Sequence, residues 1–230
     1  MLQLKRTFQG MLSLFLEGTC PLCQRSTAQV LCQDCQCQVQ RCQLPKEERS
    51  LQQSCPVFAW GVYSGLLKRM LSALKYENQP QLSEPLGQWL AESWLQSGKS
   101  VMSAASIVVP IPMYEGKKRE RGYDQAELLA ESFCAASGLR LRSQGLERIE
   151  NTTAQFQLSP EEREQNLAGA FQLGRALQRQ PSQSVFLLDD IYTTGATIRS
   201  ATQTLQHHGI QVSGVLTIAM PKMTLQTALT

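Results

Sequence analysis

The stretch that decides the fold reads Val185-Phe-Leu-Leu-Asp189-Asp190-Ile-Tyr-Thr193-Thr194-Gly195-Ala196-Thr197. Its opening run, residues 184–188, is apolar enough to predict a buried strand. The two acids and a Thr/Gly loop follow, and residues 197–208 then have helical spacing and end at Gly209. Strand, loop and helix in this order predict a unit of a parallel α/β sheet.

Strands and helices alternate upstream of this unit as well. The predicted strands are residues 57–63, 107–112 and 211–219, and the predicted helices are 65–75, 82–96 and 124–136. A basic segment, 113–122, is predicted to be a loop, and residues 36–54 a linker or short helical connector. The sequence therefore predicts a small module over residues 1–55 and an α/β domain over 56–230.

Composition excludes several classes of protein. Apolar residues make up 42% of the 230 positions, which excludes a disordered chain, and a net charge of +3 is too small to predict nucleic-acid binding. No apolar run is long enough to span a membrane, and residues 1–18 predict an amphipathic helix rather than a signal peptide. We therefore expect a cytoplasmic protein without membrane insertion. The two histidines, His207 and His208, are adjacent at a predicted helix end, so a histidine-centred catalytic triad is hard to build.

Seven of the eight cysteines lie between positions 20 and 55. Two Cys-x-x-Cys pairs, Cys20/Cys23 and Cys32/Cys35, each place two thiolates on one tight turn, and four thiolates form a closed zinc site. Three further cysteines could replace one of these ligands: Cys37, Cys42 and Cys55. Disulfides are the alternative, but they require an oxidising compartment, for which the sequence has no secretion signal. We therefore expect structural Zn²⁺.

The loop that follows the acids has the chemistry of a phosphate site. Thr193, Thr194 and Thr197 offer hydroxyls, and the start of the helix offers backbone N–H groups. Gly195 allows a positive φ or a close approach of the backbone. Carboxylates at the carboxyl end of a strand can bind a ribose diol directly or through Mg²⁺. The alternative is an ordinary acidic turn with a threonine cap.

This stretch resembles the phosphoribosyl-pyrophosphate (PRPP) signature of type I phosphoribosyltransferases, and the chain as a whole resembles the ComF family, which includes competence and GntX-like proteins. Besides the cysteine pairs, the resemblance is carried by Lys75-Tyr76, Val109-Pro-Ile-Pro112, Arg121-Gly-Tyr-Asp-Gln125, Arg148…Thr152…Gln155 and Asn166-Leu-Ala-Gly-Ala-Phe171. Two positions depart from the family pattern. Asn78 stands where glycine is common, and Tyr123-Asp124 stands where Phe-Asn is common.

The resemblance implies a type I phosphoribosyltransferase fold and a set of site residues. The 5′-phosphate would contact Thr193, Thr194, Gly195, Ala196 and Thr197, and the ribose diol would face Asp189 and Asp190. The candidates for the diphosphate are Pro112 and Met113 at a strand end, and the cations Arg119, Arg121 and Lys75. Residues 151–156 could form a mobile hood, and Arg148 could equally be a structural ion-pair partner.

The sequence is compatible with three functions. The first is a Mg²⁺-dependent phosphoribosyltransferase of unknown acceptor. The second is a non-enzymatic protein that handles single-stranded DNA in natural transformation, with stacking candidates Trp60, Tyr63, Tyr76, Tyr114 and Tyr123. The third is an adaptor whose zinc module contacts a competence ATPase. The chain has neither a P-loop nor a G-x-G-x-x-G motif, so we do not expect the ATP-driven motor itself or a dinucleotide-dependent dehydrogenase.

Overall fold

A computed structural model describes residues 18–52, 55–98, 106–149, 169–178 and 184–222. The predicted helix over residues 1–18 lies almost wholly outside the described residues, and the predicted hood at 151–156 lies entirely outside them. None of the helices in these ranges is both long and apolar enough to cross a membrane.

Strands and helices alternate along most of the described chain. The strands are β1 (Gly18–Thr19), β2 (Ser26–Thr27), β3 (Ser50–Leu51), β4 (Val57–Val62), β5 (Ile107–Pro110), β6 (Arg140–Leu141), β7 (Leu146–Arg148), β8 (Phe171–Leu173), β9 (Val185–Ile191) and β10 (Val212–Met220). The α-helices are α1 (Gln33–Gln40), α2 (Gly65–Tyr76), α3 (Ser83–Gln96), α4 (Glu115–Arg121), α5 (Gln125–Ser137) and α6 (Ala196–His207). Short 3₁₀ turns cover Lys46–Glu48 and Pro80–Leu82.

The central sheet has the strand order β3-β4-β10-β9-β5-β6. Every neighbouring pair in it is parallel except β3 with β4. This confirms the prediction of an α/β fold with a mostly parallel sheet flanked by helices. Because β9 lies between β10 and β5, the carboxyl ends of these three strands meet at one edge, where open α/β sheets bind their ligands.

Both faces of the sheet are buried. Alternate residues of each strand point to opposite sides of the sheet and pack into two separate apolar clusters. Phe58, Val108 and Leu188 belong to one apolar cluster, with side chains of α2, α3 and α5. Val57, Val109 and Leu187 belong to the other, with side chains of α6 and of the β7–β8 hairpin. This arrangement explains why the central strands read as continuous apolar runs rather than as an alternating pattern.

The structure differs from the sequence prediction in the basic segment 113–122. This segment is not a loop throughout, because Glu115–Arg121 forms helix α4. Glu115 stands in the first turn, and the last turn contains Lys118, Arg119 and Arg121, which complements the helix dipole. Gly122 ends the helix with φ of 86° and donates its N–H to Lys118 O at 2.8 Å. The segment 115–121 therefore forms a helix whose charges complement the dipole, although it has no apolar stripe along one face.

The segment predicted as a linker or short helical connector, 36–54, contains a helical part and a strand. It includes most of α1 and all of β3, which pairs antiparallel with β4. Cys35 and Val39 of α1 are buried in the same apolar cluster as Leu67 of α2. The cysteine-rich segment thus packs directly on the sheet domain. The predicted domain boundary near residue 55 stays a prediction.

Candidate functional site

The end of β9, the loop after it and the start of α6 together enclose a small cavity of about 40 Å³. Its lining comprises Asp189 and every residue from Ile191 to Ile198. Gly195 caps α6 with φ of 75°, and a Cβ there would stand 2.4 Å from the Tyr192 hydroxyl oxygen. A glycine is therefore required both by the backbone conformation and by the close approach of Tyr192. The predicted phosphate-loop residues are all brought together at one helix start.

The two acids lie inside β9 rather than in the loop after it. The structure extends this strand to Ile191, three residues beyond the predicted end, because β10 pairs with it up to Ala219↔Ile191. Consecutive strand residues point their Cβ atoms to opposite faces, yet the two carboxyl groups remain close enough to interact. Asp189, which is partly exposed, lines the phosphate-loop cavity, whereas Asp190 is 4% exposed and faces α2.

A buried ion pair holds Asp190. Lys75 Nζ lies 2.6 Å from Asp190 Oδ2, with side-chain exposures of 18% and 6%. Burial by itself lowers the pKa of Lys75, but the charge and hydrogen bond of Asp190 outweigh it, so the pKa is raised. Lys75 was predicted to reach a diphosphate, and the structure places its ammonium group on the acid pair itself.

Asp189 has a strongly perturbed acidity. Burial and the neighbouring charge of Asp190 raise its pKa from 3.8 to about 7, against the opposing effects of Lys75 and of the Asp190 N–H. That N–H donates to Asp189 Oδ1 at 2.8 Å. A carboxyl group that titrates near neutrality in a cleft marks a candidate functional site.

Helix α2 brings Lys75 to this edge. The helix starts after β4, and its last turn contacts Asp190 of β9 and Tyr123, which precedes α5, so it runs across the carboxyl ends of the strands. Tyr123 donates its hydroxyl to Leu74 O in that last turn. Asn78, two residues after the helix, adopts φ of 50°, the left-handed conformation that the family pattern commonly assigns to glycine.

The strand end predicted to bind a diphosphate is held by Asp124. Met113 N donates to Asp124 Oδ2 at 2.8 Å, and Oδ1 of the same side chain caps α5 by accepting from Ala126 N and Glu127 N. Pro112 and Met113 lie directly beyond β5, next to β9. In the sequence Asp124 appears only as a helix start. Nothing there shows that it also anchors the loop.

The two predicted arginines, which both lie on α4, have different surroundings. Arg121 donates to Gln125 Oε1, and its guanidinium carbon lies 5.6 Å from the centre of the Tyr76 ring, beside Lys75. Arg119 is exposed on the same helix, and no contact in the described part of the chain links it to the acids. The structure thus brings Arg121 toward the site, and the role of Arg119 stays a prediction.

A larger cleft of about 430 Å³ lies beside this strand end. Pro112, Met113, Asp124, Arg148 and Arg175 are among the residues that line it. Burial lowers the pKa of Arg148, while the charges of Asp189 and Asp124 oppose that effect, so this guanidinium lies within electrostatic reach of both acids. The cleft has room for a small molecule.

The cysteine cluster brings together the four thiols of the two Cys-x-x-Cys pairs. The Sγ atoms of Cys20, Cys23, Cys32 and Cys35 all lie within 4.8 Å of one another. A tetrahedral ion with bonds of about 2.3 Å to sulfur needs S–S separations of roughly 3.8 Å. Four cysteines so close together could bind a structural metal such as zinc. Cys37 points elsewhere on α1, since two helical positions from Cys35 is a turn of about 200°.

The first cysteine turn has the hydrogen bonds of a metal-binding knuckle. Cys20 N donates to Arg25 O and Gln24 N donates to Cys20 O, each at 2.8 Å. Burial raises the pKa of the Cys20 thiol, but backbone N–H groups outweigh it and lower the pKa to about 6. Gln24 completes the turn with φ of 62°. The second pair stands at the start of α1, where burial and the neighbouring thiols raise the pKa of Cys35.

Comparison with known proteins gives consistent relatives, although no protein-family model matches the chain. Competence protein F of Haemophilus influenzae is 27% identical over 152 residues, 66% of each chain. DNA utilization protein YhgH of Salmonella typhimurium is 27% identical over 198 residues, 84% of this chain and 86% of that one. Competence protein ComFC of Bacillus subtilis is 26% identical over 191 residues, 83% of this chain and 72% of that one.

These similarities support a relationship between this chain and the ComF family. The names of the relatives point to competence and DNA utilization, as the resemblance of the sequence motifs implies. They specify neither the ligand of the sheet edge nor a reaction, so the chemistry of the site has to be argued from its residues.

Proposed function

We propose that this protein binds PRPP at the carboxyl edge of its sheet, as a phosphoribosyltransferase-like protein of the ComF family that acts in DNA utilization. The observation that carries the proposal is the cavity shared by Asp189 and the loop Thr193–Thr197 at the start of α6. A carboxylate and a hydroxyl-rich helix start in one cavity match a ligand that joins a sugar diol to a phosphate.

The 5′-phosphate fits the loop for electrostatic reasons. Backbone N–H groups at the start of α6 and the partial positive charge of the helix favour a dianion there. Thr193 and Thr194 are exposed, so their hydroxyls are accessible to a ligand. Asp189 would then accept hydrogen bonds from the ribose hydroxyls, while Lys75 and Asp190 neutralise each other beneath them.

The diphosphate would lie toward Pro112, Met113 and Arg121. Arginine binds phosphate oxygens through paired N–H donors, which suits the charge of a diphosphate. If Mg²⁺ accompanies PRPP, Asp189 is the carboxylate that fits it, because Asp190 Oδ2 is already 2.6 Å from Lys75 Nζ. The metal would neutralise diphosphate charge, as it does in other phosphate sites.

Transfer of the phosphoribosyl group is the reaction that such a site would catalyse. The lone pair of an acceptor atom would form the new bond at C1, while the C1–O bond breaks and its electrons leave with pyrophosphate. Positive charge would develop at C1 and negative charge on the leaving group, where Arg121 would stabilise it. The acceptor would occupy the 430 Å³ cleft beside Met113.

Structural zinc completes the proposal. Cys20, Cys23, Cys32 and Cys35 would hold it, and its binding would stabilise the module that packs on α2 and α3. The chemistry of the sheet edge does not involve this ion.

Binding of single-stranded DNA is a second candidate, favoured by one observation. Of the five aromatic residues considered for stacking, Trp60 is 1% exposed and stacks on Trp89, whereas Tyr76 is 71% exposed beside the site. An exposed aromatic ring next to arginine is the kind of surface on which bases stack. Binding that weakens as salt rises and is lost on Tyr76→Ala would support this candidate.

Isothermal titration calorimetry with PRPP and Mg²⁺ tests the main proposal. The double substitution Thr193→Val/Thr197→Val removes two hydroxyls at nearly constant volume, and we expect it to weaken PRPP binding at least tenfold. Thr202→Val on the same helix is the matched control, since the buried Thr202 hydroxyl has no hydrogen-bond partner within the described ranges. Absence of PRPP binding to the wild type, or equal binding by the double variant, would contradict the proposal.

A further inference from the structure

We propose that Tyr76 and Gln125 are positioning residues that fix the Arg121 guanidinium at the diphosphate end of the site. In this role they let the protein discriminate PRPP from ribose 5-phosphate. The inference rests on the proposed function, and it adds the residues that set the preference for a ligand carrying a diphosphate.

Two contacts on different elements hold Arg121. Its guanidinium carbon lies 5.6 Å from the centre of the Tyr76 ring on α2, and its Nη1 donates to Gln125 Oε1 on α5. The ring and the hydrogen bond therefore restrain the guanidinium from two different elements. Because a guanidinium carries five N–H donors, this arrangement leaves donors for a phosphate.

The Tyr76 end of this arrangement is itself rigid. Arg69 and Glu77 form two parallel bonds at 2.6 and 2.8 Å, which fasten the residue after Tyr76 to the body of α2. Tyr123 fastens Leu74 O in the same turn. The Tyr76 side chain, which is 71% exposed, is thus carried on a helix end whose backbone is fastened on both sides of it.

Both neighbours of Arg121 are adjacent in sequence to residues of the site. Tyr76 follows Lys75, whose Nζ binds Asp190 of β9. Gln125 follows Asp124, whose Oδ2 holds Met113 N at the end of β5. Arg121 therefore bridges the two segments between which the diphosphate would lie. A ligand without the diphosphate would gain nothing from this guanidinium.

The test compares two ligands that differ only in the diphosphate. Calorimetry with PRPP and with ribose 5-phosphate is run on the wild type, Tyr76→Ala, Gln125→Ala and Tyr76→Phe, with circular dichroism to verify folding. We expect each alanine variant to bind PRPP about threefold to tenfold more weakly and to bind ribose 5-phosphate as the wild type does. Tyr76→Phe keeps the ring and should keep the PRPP affinity.

Tyr63→Ala is the matched control, because Tyr63 also has a cation over its ring, Lys68 Nζ at 5.7 Å, but precedes the first turn of α2, whereas Tyr76 ends the last. It should leave the ratio of the two affinities unchanged. Equal losses for both ligands in Tyr76→Ala would mean a general structural role and overturn the inference. An unchanged PRPP affinity of Tyr76→Ala would also overturn the inference. If that variant at the same time lost binding to single-stranded DNA, Tyr76 would be assigned to base stacking. A wild type that binds neither ligand would overturn the proposed function, and this inference with it.

Discussion

Replacing Asp189 by asparagine should stabilise the protein at pH 8 and stabilise it by a smaller amount at pH 5. The carboxyl group is buried against Asp190, so its pKa is raised from 3.8 to about 7 in the folded chain. A group whose folded pKa exceeds its unfolded pKa stabilises the fold below the unfolded value and loses that contribution as the pH rises through the folded value. The pH window of this loss therefore runs from about 4 to about 7.

The magnitude follows from the two pKa values. The interval from 3.8 to about 7 corresponds to roughly 4 kcal/mol of unfolding free energy, at about 1.4 kcal/mol per pKa unit. Asp189 is partly exposed, and solvent screens part of the repulsion, so we expect a gain of about 1–2 kcal/mol at pH 8. Asparagine keeps an oxygen that can accept the 2.8 Å hydrogen bond from Asp190 N.

Urea unfolding at pH 5, 6, 7 and 8, with zinc and a non-chelating reductant in the buffer, measures this difference. Asp34→Asn is the control, because the Asp34 side chain is 67% exposed in its ion pair with Arg25 and should contribute less than about 1 kcal/mol at every pH. An Asp189→Asn variant that gains the same stability at pH 5 as at pH 8, or that loses stability at pH 8, would refute the reasoning.

Three further predictions concern the turns and the cysteines. Gln24→Gly should raise the free energy of unfolding by about 0.5–1 kcal/mol in urea titrations, because φ of 62° strains any residue with a Cβ; a decrease would contradict this. Gly195→Ala should lower the melting temperature and abolish ribose 5-phosphate binding in calorimetry, since its Cβ would meet the Tyr192 hydroxyl at 2.4 Å; normal binding would show that the loop adapts. Cys23→Ser should remove zinc from the purified protein, as measured by atomic absorption, whereas Cys37→Ser should retain one equivalent; loss in both would mean a different ligand set.

Much of the local structure could be predicted from the sequence. The apolar runs before Asp189 and around Val108 are buried parallel strands, and Gly209 ends α6 as expected. The left-handed conformations of Asn78 and Gly195 also agree with the turns assigned to them. These features depend on side-chain periodicity and on the allowed backbone angles of single residues, and both can be read from neighbouring positions.

The arrangement of the two acids could not be predicted in this way. Where β9 ends is set by its pairing with β10, and that pairing extends the strand past both acids to Ile191. Once they lie within the strand, Asp189 and Asp190 must point to opposite faces. The identity of the Asp190 partner, Lys75, depends on α2 crossing the edge of the sheet, more than 110 positions away along the chain.

The sequence by itself determined the fold class, the hydroxyl-rich loop after the two acids and the two cysteine pairs. Each of these is carried by patterns among neighbouring residues. Only the tertiary structure decided which four thiols meet, which carboxylate faces the loop and which side chains hold Arg121. Those outcomes depend on how helices and strands from distant parts of the chain pack against one another. The packing fixes distances between side chains that no local pattern contains.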